Sequence, residues 1–172
     1  SMPVYCNKIF EKLTSQEMLD YLSSVTGTEI LNDSTKNWWG IHKYDHGDNL
    51  DIHVDAGIHP KTQQKKQVTV GIYLSKDWKE ENGGHLEMWD GENASNNEAK
   101  IFKCMDKILP QFNTFVIFEC NDYAWHGNPN PVVCKDGEKR LFLTLSYVSE
   151  NYTDLNKKQK AFFVKRPEDP ED

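Results

Sequence analysis

Two segments of the chain carry residue types that bind metals. His53-Val54-Asp55 sets an imidazole and a carboxylate two positions apart, and on a β-strand such residues point to the same face. They converge on one point and supply two of the three ligands of an open divalent-metal site. The pair alone is weak evidence, because a chain with six histidines and 27 acidic residues contains such a pair by chance. A third ligand has to come from elsewhere. His126, in Tyr123-Ala124-Trp125-His126-Gly127 just past the apolar run 114–119, is the best candidate. His85 is its rival, since it forms a His-x-Glu pair with Glu87. Leu86 and Met88 alternate with that pair, so on a half-buried strand His85 and Glu87 should face solvent, which favours His126.

Arginine usage adds an independent clue. Arg140 and Arg166 stand alone against eighteen lysines. Arg166 falls near the end, but Arg140 opens the apolar run Leu141-Phe142-Leu143-Thr144-Leu145. A guanidinium inside a barrel must be paired, and its planar fork suits a carboxylate held in two-point fashion, a task for which lysine is no equivalent. The plain alternative is a strand-edge arginine bridged to a surface acid. Two histidines and one carboxylate with open positions are the facial triad of non-haem Fe(II) oxygenases, and three protein ligands leave room for a chelating organic acid and O2. A carboxylate-binding arginine belongs with such a centre.

Elements must position these residues. Thr14-Ser15-Gln16-Glu17 has the form of a capping box, followed by Met18, Leu19, Leu22 and Val25 at helical spacing and a stop at Gly27. That predicts one amphipathic helix. Short β-branched and aromatic runs follow, at 38–44, 50–54, 67–75, 85–89, 100–103, 114–119 and 140–148. With no helical crossovers between them they predict a mainly β sandwich, jelly roll or barrel. Residues 76–84 and 90–99 read as loops, the second long and mobile. Residues 153–160 predict a short helix, and 167–172 a solvated acidic tail. Gly83-Gly84 reads as a tight turn.

The 172 residues amount to one domain, with a net charge of −7. Four of the acids lie in the tail, so the charge excludes little beyond a nucleic-acid partner, whose phosphates call for a basic surface. No apolar run is long enough to span a membrane and the start lacks a signal-peptide layout, which predicts no membrane partner and a cytoplasmic location. Ser1-Met2 reads as a tag remnant. Cys6, Cys104, Cys120 and Cys134 are widely spaced and read as buried free thiols.

Four segments in order resemble the 2-oxoglutarate-dependent Fe(II) oxygenases, prolyl hydroxylase-like branch. They are Tyr44 followed by Leu50-Asp51-Ile52-His53-Val54-Asp55; Val68-Thr69-Val70-Gly71-Ile72-Tyr73-Leu74-Ser75-Lys76-Asp77-Trp78; Gly83-Gly84-His85-Leu86-Glu87-Met88-Trp89; and Trp125-His126-Gly127-Asn128-Pro129 leading to Arg140. The resemblance implies a double-stranded β-helix, a jelly-roll or cupin-like barrel of eight strands, with flanking N-terminal helix or helices. The single domain spans 1–172 with its core at about 38–149. His53, Asp55 and His126 fall on the family's iron ligands and Arg140 on the anchor of the distal carboxylate of 2-oxoglutarate. Tyr73 matches a tyrosine reaching the same carboxylate and Tyr44 one near the cosubstrate's other end; core packing is the alternative for both. Trp125, beside a ligand, is expected at the substrate pocket.

This chain departs from the family at two places. An insertion at 130–138, expected on the active-site rim, lengthens the gap from His126 to Arg140. Phe142 stands where many relatives place a small hydroxyl residue that shares the carboxylate, so that Tyr73 or Thr144 must compensate or 2-oxoglutarate binds more weakly. The implied activity is hydroxylation of a C–H bond using Fe(II), 2-oxoglutarate and O2 with ascorbate as reductant, on a prolyl or other residue of a protein or peptide, or on a small molecule. Two other readings stay open: a metal-free jelly-roll module binding sugar or peptide, and a cupin-like metalloenzyme using His85.

Overall fold

The computed structural model of the protein describes residues 4–150 and 160–170. Helices α1 (Val4–Leu13) and α2 (Gln16–Thr26) precede nine strands. These are β1 (Gly40–Tyr44), β2 (Leu50–Val54), β3 (Lys65–Tyr73), β4 (Leu86–Gly91), β5 (Ile101–Ile108), β6 (Phe115–Glu119), β7 (Trp125–Asn128), β8 (Arg140–Ser149) and β9 (Phe162–Val164). They form two antiparallel sheets, in the orders β1-β8-β3-β6 and β5-β4-β7-β2-β9. The fold is the mainly β jelly roll expected, with β9 as a ninth strand and two N-terminal helices in place of one.

The extra helix explains a shift in the cap. Thr14 closes α1, its hydroxyl donating to the Phe10 carbonyl at 2.8 Å, so it is not free to open α2. Ser15 takes that place and its hydroxyl accepts the Met18 N–H, while Glu17 pairs with Lys12. Gly27, at φ 67°, ends the helix.

Period-2 alternation on β3 and β8 sorts their side chains. Val68, Val70, Leu143, Leu145 and Tyr147 form one core with Phe10, Leu13, Leu22 and Ile30 of the helical layer, each buried side chain contributing about 1.5–3 kcal/mol. The Tyr147 hydroxyl donates to the Leu13 carbonyl at 2.7 Å and pins α1 to the sheet. The alternate residues Thr69, Arg140, Phe142, Thr144 and Ser146 line the cavity between the sheets. The apolar stripe thus faces the helices, and the interior receives the polar one.

The second sheet also has a covered outer face. Ile52, Val54, Trp89, Ile101 and Trp125 pack there with Ala94 and Ala99 of the 92–100 loop, and Phe162 and Val164 join them from β9. The loop read as mobile is fastened instead: Ala94 N–H donates to Asp122 O and Glu92 N–H to Lys100 O. This layer overturns the expectation that Glu87 faces solvent. Glu87 is fully buried, accepting the Trp89 indole N–H at 2.9 Å and pairing with Lys107 at 2.8 Å. The alternation along β4 has the phase expected, but both sides of the strand are covered.

Strand β5 runs five residues past its expected end, because exposed Lys103, Asp106 and Lys107 on an edge strand hide its pattern. The 153–160 helix expectation falls, but for Lys160, outside the described residues. Residues 167, 168 and 170 are exposed, as expected of a solvated tail, but the segment is tied down. It turns so that Arg166 grips the Asp169 carboxylate, at 2.7 Å from Nη2, and reaches Asn130 Oδ1 at 2.9 Å. Of the four cysteines, all free, Cys120 is buried and the other three are partly exposed.

Candidate active site

His53 and His126 face each other across β2 and β7, in register, with ring centroids 4.5 Å apart. That pairing depends on a bulge. Leu50 pairs with Asn128 and His53 with His126, so β2 fits three steps against two of β7. The extra residue lets Leu50 and His53 both line the cavity although an odd number separates them. Gly127 makes the close approach possible, since a Cβ there would meet the Asp51 carbonyl oxygen at 2.7 Å.

Both imidazoles are oriented in the same way. Nδ1 of His53 lies 2.9 Å from Asp51 O, and Nδ1 of His126 lies 2.8 Å from Ala124 O. Each carbonyl accepts the Nδ1 proton and leaves Nε2 as the lone-pair donor toward the cavity. Asp55 follows β2, with Oδ1 3.5 Å from His53 Nε2. The ligand atoms of His53, Asp55 and His126 all lie within 4.8 Å of one another, a donor set that could hold a divalent ion.

Charge in the site favours that use. Burial lowers the His126 pKa to about 4, helped by neighbouring His53, so its ring is neutral at physiological pH. Burial alone would raise the Asp55 carboxyl, but the neighbouring His53 and the charge of Lys66 hold it well below the usual range. Lys66 Nζ sits 2.6 Å from Asp55 Oδ2 and 5.1 Å from the centre of the Trp38 ring. Phe163 stacks on His53 at 4.8 Å and Phe118 lies 4.5 Å from the His126 ring.

The cavity above these residues measures about 510 Å³ and runs to Arg140. Arg140 is buried, 2 % exposed. Its Nε donates to Gly84 O at 2.7 Å and Nη2 to the Tyr73 hydroxyl at 3.3 Å. Its Cζ lies 4.9 Å from the Tyr44 ring and 5.0 Å from the Tyr73 ring, so Tyr44, expected near the cosubstrate's other end, stands instead at the Arg140 end, where strand pairing puts it opposite the arginine. Among the described residues no carboxylate pairs with it, and what perturbs it is burial and the two tyrosines. Burial raises both phenols, Tyr73 to about 12, so both remain protonated donors. Thr144 lines the same cavity and donates to Val70 O at 2.8 Å.

Trp125 is elsewhere. It alternates with His126 on β7, is fully buried in the outer layer, and its indole donates to Glu92 O at 2.8 Å. Adjacency to His126 in sequence puts it on the opposite face. The 130–138 insertion does not line the cavity either: Val132 exchanges backbone hydrogen bonds with the 47–48 turn and Val133 N–H donates to Asn82 O. His85 lies outside the His53, Asp55 and His126 group. Sequence reasoning missed Lys66, Phe118, Asn128, Phe163 and Gly84. Gly84 does more than turn the chain, since its carbonyl orients Arg140.

The model of the 2OG-Fe(II) oxygenase superfamily matches residues 39–147. No curated protein matches the chain significantly. Among solved structures, a prolyl 4-hydroxylase of Phytophthora capsici is 20% identical, with a TM-score of 0.57 over 82% of this chain and 42% of its own. A prolyl hydroxylase of Trichoplax adhaerens, solved with a hypoxia inducible factor peptide fragment, is 22% identical with a TM-score of 0.48, covering 79% and 55%. A Pseudomonas putida prolyl-4-hydroxylase is 19% identical with a TM-score of 0.41, covering 66% and 52%. The chain spans about half the length of these structures, and at such identities the likeness concerns the fold. With most of the two-sheet barrel inside the matched residues, this chain belongs to the 2OG-Fe(II) oxygenase superfamily.

Proposed function

We propose that the protein is an Fe(II)- and 2-oxoglutarate-dependent dioxygenase that hydroxylates a prolyl or other residue of a protein or peptide. His53, Asp55 and His126 hold the metal, and Arg140 anchors the distal carboxylate of 2-oxoglutarate. One observation carries this reading: a buried arginine with no carboxylate partner among the described residues shares a single cavity with the converging His-Asp-His atoms. The family implies Fe(II) and 2-oxoglutarate, and the donors fit both, neutral imidazole and ionised carboxylate for the ion and a desolvated guanidinium for the acid. When bound, the iron and its cosubstrate supply the oxidation of a C–H bond by O2, with release of succinate and CO2.

The chain's own residues do the rest. The Asp51 and Ala124 carbonyls fix the two imidazoles, and Lys66 holds one oxygen of Asp55, leaving the other free to ligate a bound ion. Arg140 receives the carboxylate between two aromatic rings, with Tyr73 as a further donor. Trp38 and Trp39 line the cavity with Phe118, an apolar setting suited to a prolyl ring. The fold shared with prolyl 4-hydroxylases supports the peptide reading, which also covers small molecules of similar shape.

Succinate formation from 2-oxoglutarate with Fe(II) and ascorbate, with and without O2, tests the class. Wild type turns over only with O2, and Asp55→Ala abolishes turnover; equal turnover by the variant would refute the assignment. Mass spectrometry of proline-rich peptides incubated with the enzyme tests the substrate. A gain of one oxygen on proline is expected, and oxygen found only on other residues would move the assignment.

A further inference from the structure

Asn128 follows His126 by two residues on β7, so it shares the face of β7 that lines the cavity. It is 4 % exposed, and its Nδ2 has no hydrogen-bond partner among the described residues. A buried amide left so is destabilising, and such groups are rare in folded proteins. The Asn128 side chain acts on the Tyr44 hydroxyl but forms no bond of good geometry with it. Tyr44 pairs in register with Arg140 across β1 and β8. The orphaned amide therefore belongs to the arginine's end of the cavity.

That end holds donors in excess of acceptors. Arg140 commits Nε to Gly84 and one Nη2 proton to Tyr73, leaving three of its five N–H groups. Tyr44 and Tyr73 add hydroxyl protons, and Asn128 adds an NH2 group. Phe142, next to Arg140 on the same face of β8, presents a ring that donates nothing. A carboxylate accepts at about four lone-pair positions, more than the guanidinium covers from one side. Arg140, Tyr44 and Tyr73 all approach from one sheet, and the face of a bound carboxylate turned to the other sheet is where Asn128 stands.

We propose that Asn128 is a cosubstrate-specificity residue, donating its Nδ2–H to the distal carboxylate of 2-oxoglutarate from the sheet opposite Arg140. The proposal rests on the oxygenase reading and adds to it how this chain reads the cosubstrate's length. An acid that chelates the metal but lacks the distal carboxylate gains nothing from Asn128.

The test is calorimetric titration of Mn(II)-loaded protein, without O2, with 2-oxoglutarate and with oxalate. Asn128→Asp keeps the shape and opposes the carboxylate with a negative charge, whereas Asn128→Val removes the donor without adding charge. At least tenfold weaker 2-oxoglutarate binding is expected for Asn128→Asp and several-fold weaker binding for Asn128→Val, with oxalate and Mn(II) affinities unchanged in both. Wild-type 2-oxoglutarate affinity in either folded variant overturns the role of Asn128 alone, as it would if Nδ2 held only a water. Equal losses for oxalate and 2-oxoglutarate overturn it as well, because the residue would then serve the metal end. Failure of the wild type itself to bind 2-oxoglutarate overturns the oxygenase reading and this inference together.

Discussion

The Gly84 carbonyl accepts the Nε–H of Arg140 at 2.7 Å, from a backbone held at φ 65°. The turn before β4 thereby aims the one buried guanidinium among the described residues. Two constraints meet at Gly84: the left-handed conformation, and a Cβ position only 2.8 Å from Arg140 Cδ and 2.9 Å from Val132 Cγ2. Gly84→Ala should lose about 1–2 kcal/mol of stability from the backbone alone. It should also weaken 2-oxoglutarate binding while sparing Mn(II), because Arg140 must swing away. Urea denaturation and titration of the two ligands check this, and unchanged 2-oxoglutarate affinity would show that Gly84 merely turns the chain.

Phe142 fills the space over Gly71. An added methyl at Gly71 would overlap the Phe142 ring, which also lies 4.6 Å from the Tyr73 ring. Gly71→Ala should therefore cost about 1–3 kcal/mol by overpacking. Phe142→Leu makes room, so in the double variant the cost of Gly71→Ala should shrink by about 1 kcal/mol or more, a coupling typical of residues in contact. Additive losses would mean that the ring moves freely out of the way.

How far the site could be read in the sequence depended on what each signal encodes. The His53 and Asp55 pairing needed only the two-residue period of a strand, and His126 only its place after an apolar run. The bulge between Leu50 and His53 has no sequence mark, yet it sets the register that brings the histidines together. Glu87 departs from expectation because sequence alternation separates two faces but does not say that a loop and a terminal strand cover the outer one. Trp125 departs because adjacency to a ligand on a strand means the opposite face, not the same pocket. Strand β7 was hidden by Gly127 and Asn128, turn residues that serve here for close approach and, we propose, for a ligand. Lys66 and Gly84 act through contacts distant in sequence, which no local pattern records.

Acid should reveal the clasp that seats Trp38. His59 Nδ1 accepts the N–H groups of Lys61 and Thr62, so Nε2 carries the proton that faces Asp33 at 3.2 Å. The Trp38 ring packs on that imidazole at 4.8 Å. Burial would raise the Asp33 carboxyl, but bonds from the Thr35 hydroxyl and the Thr35 and Asn37 N–H groups, with His59 beside it, hold it below its ordinary value. A carboxyl depressed in the folded state contributes stability that is complete above the unfolded pKa of about 3.9 and is lost as pH falls through the lower folded value. Wild type should therefore exceed Asp33→Asn by a constant margin above about pH 5, and the margin should narrow below pH 4. Urea midpoints measured from pH 6 to pH 3 decide it, and a margin that widened on acidification would have the wrong sign.

Lys66 and a metal ion bound at this site would compete for the same carboxylate. With Nζ 2.6 Å from Asp55 Oδ2 and both side chains largely buried, removing the ammonium leaves Asp55 without its cation. Breaking a buried pair on one side costs about 3–5 kcal/mol, and the partial exposure of Asp55 places this case near the lower figure. Bound Mn(II) would restore positive charge at Asp55, so the variant regains through the ion part of what it lost. By linkage the ion must then bind more tightly to Lys66→Met than to wild type, since two cations no longer share one acid. The expected result is a lower melting temperature for metal-free Lys66→Met, a larger rise on adding Mn(II) than wild type shows, and a smaller Mn(II) dissociation constant. A variant that binds Mn(II) more weakly would mean that Lys66 acts chiefly by aiming Asp55, and that orientation outweighs charge at this site.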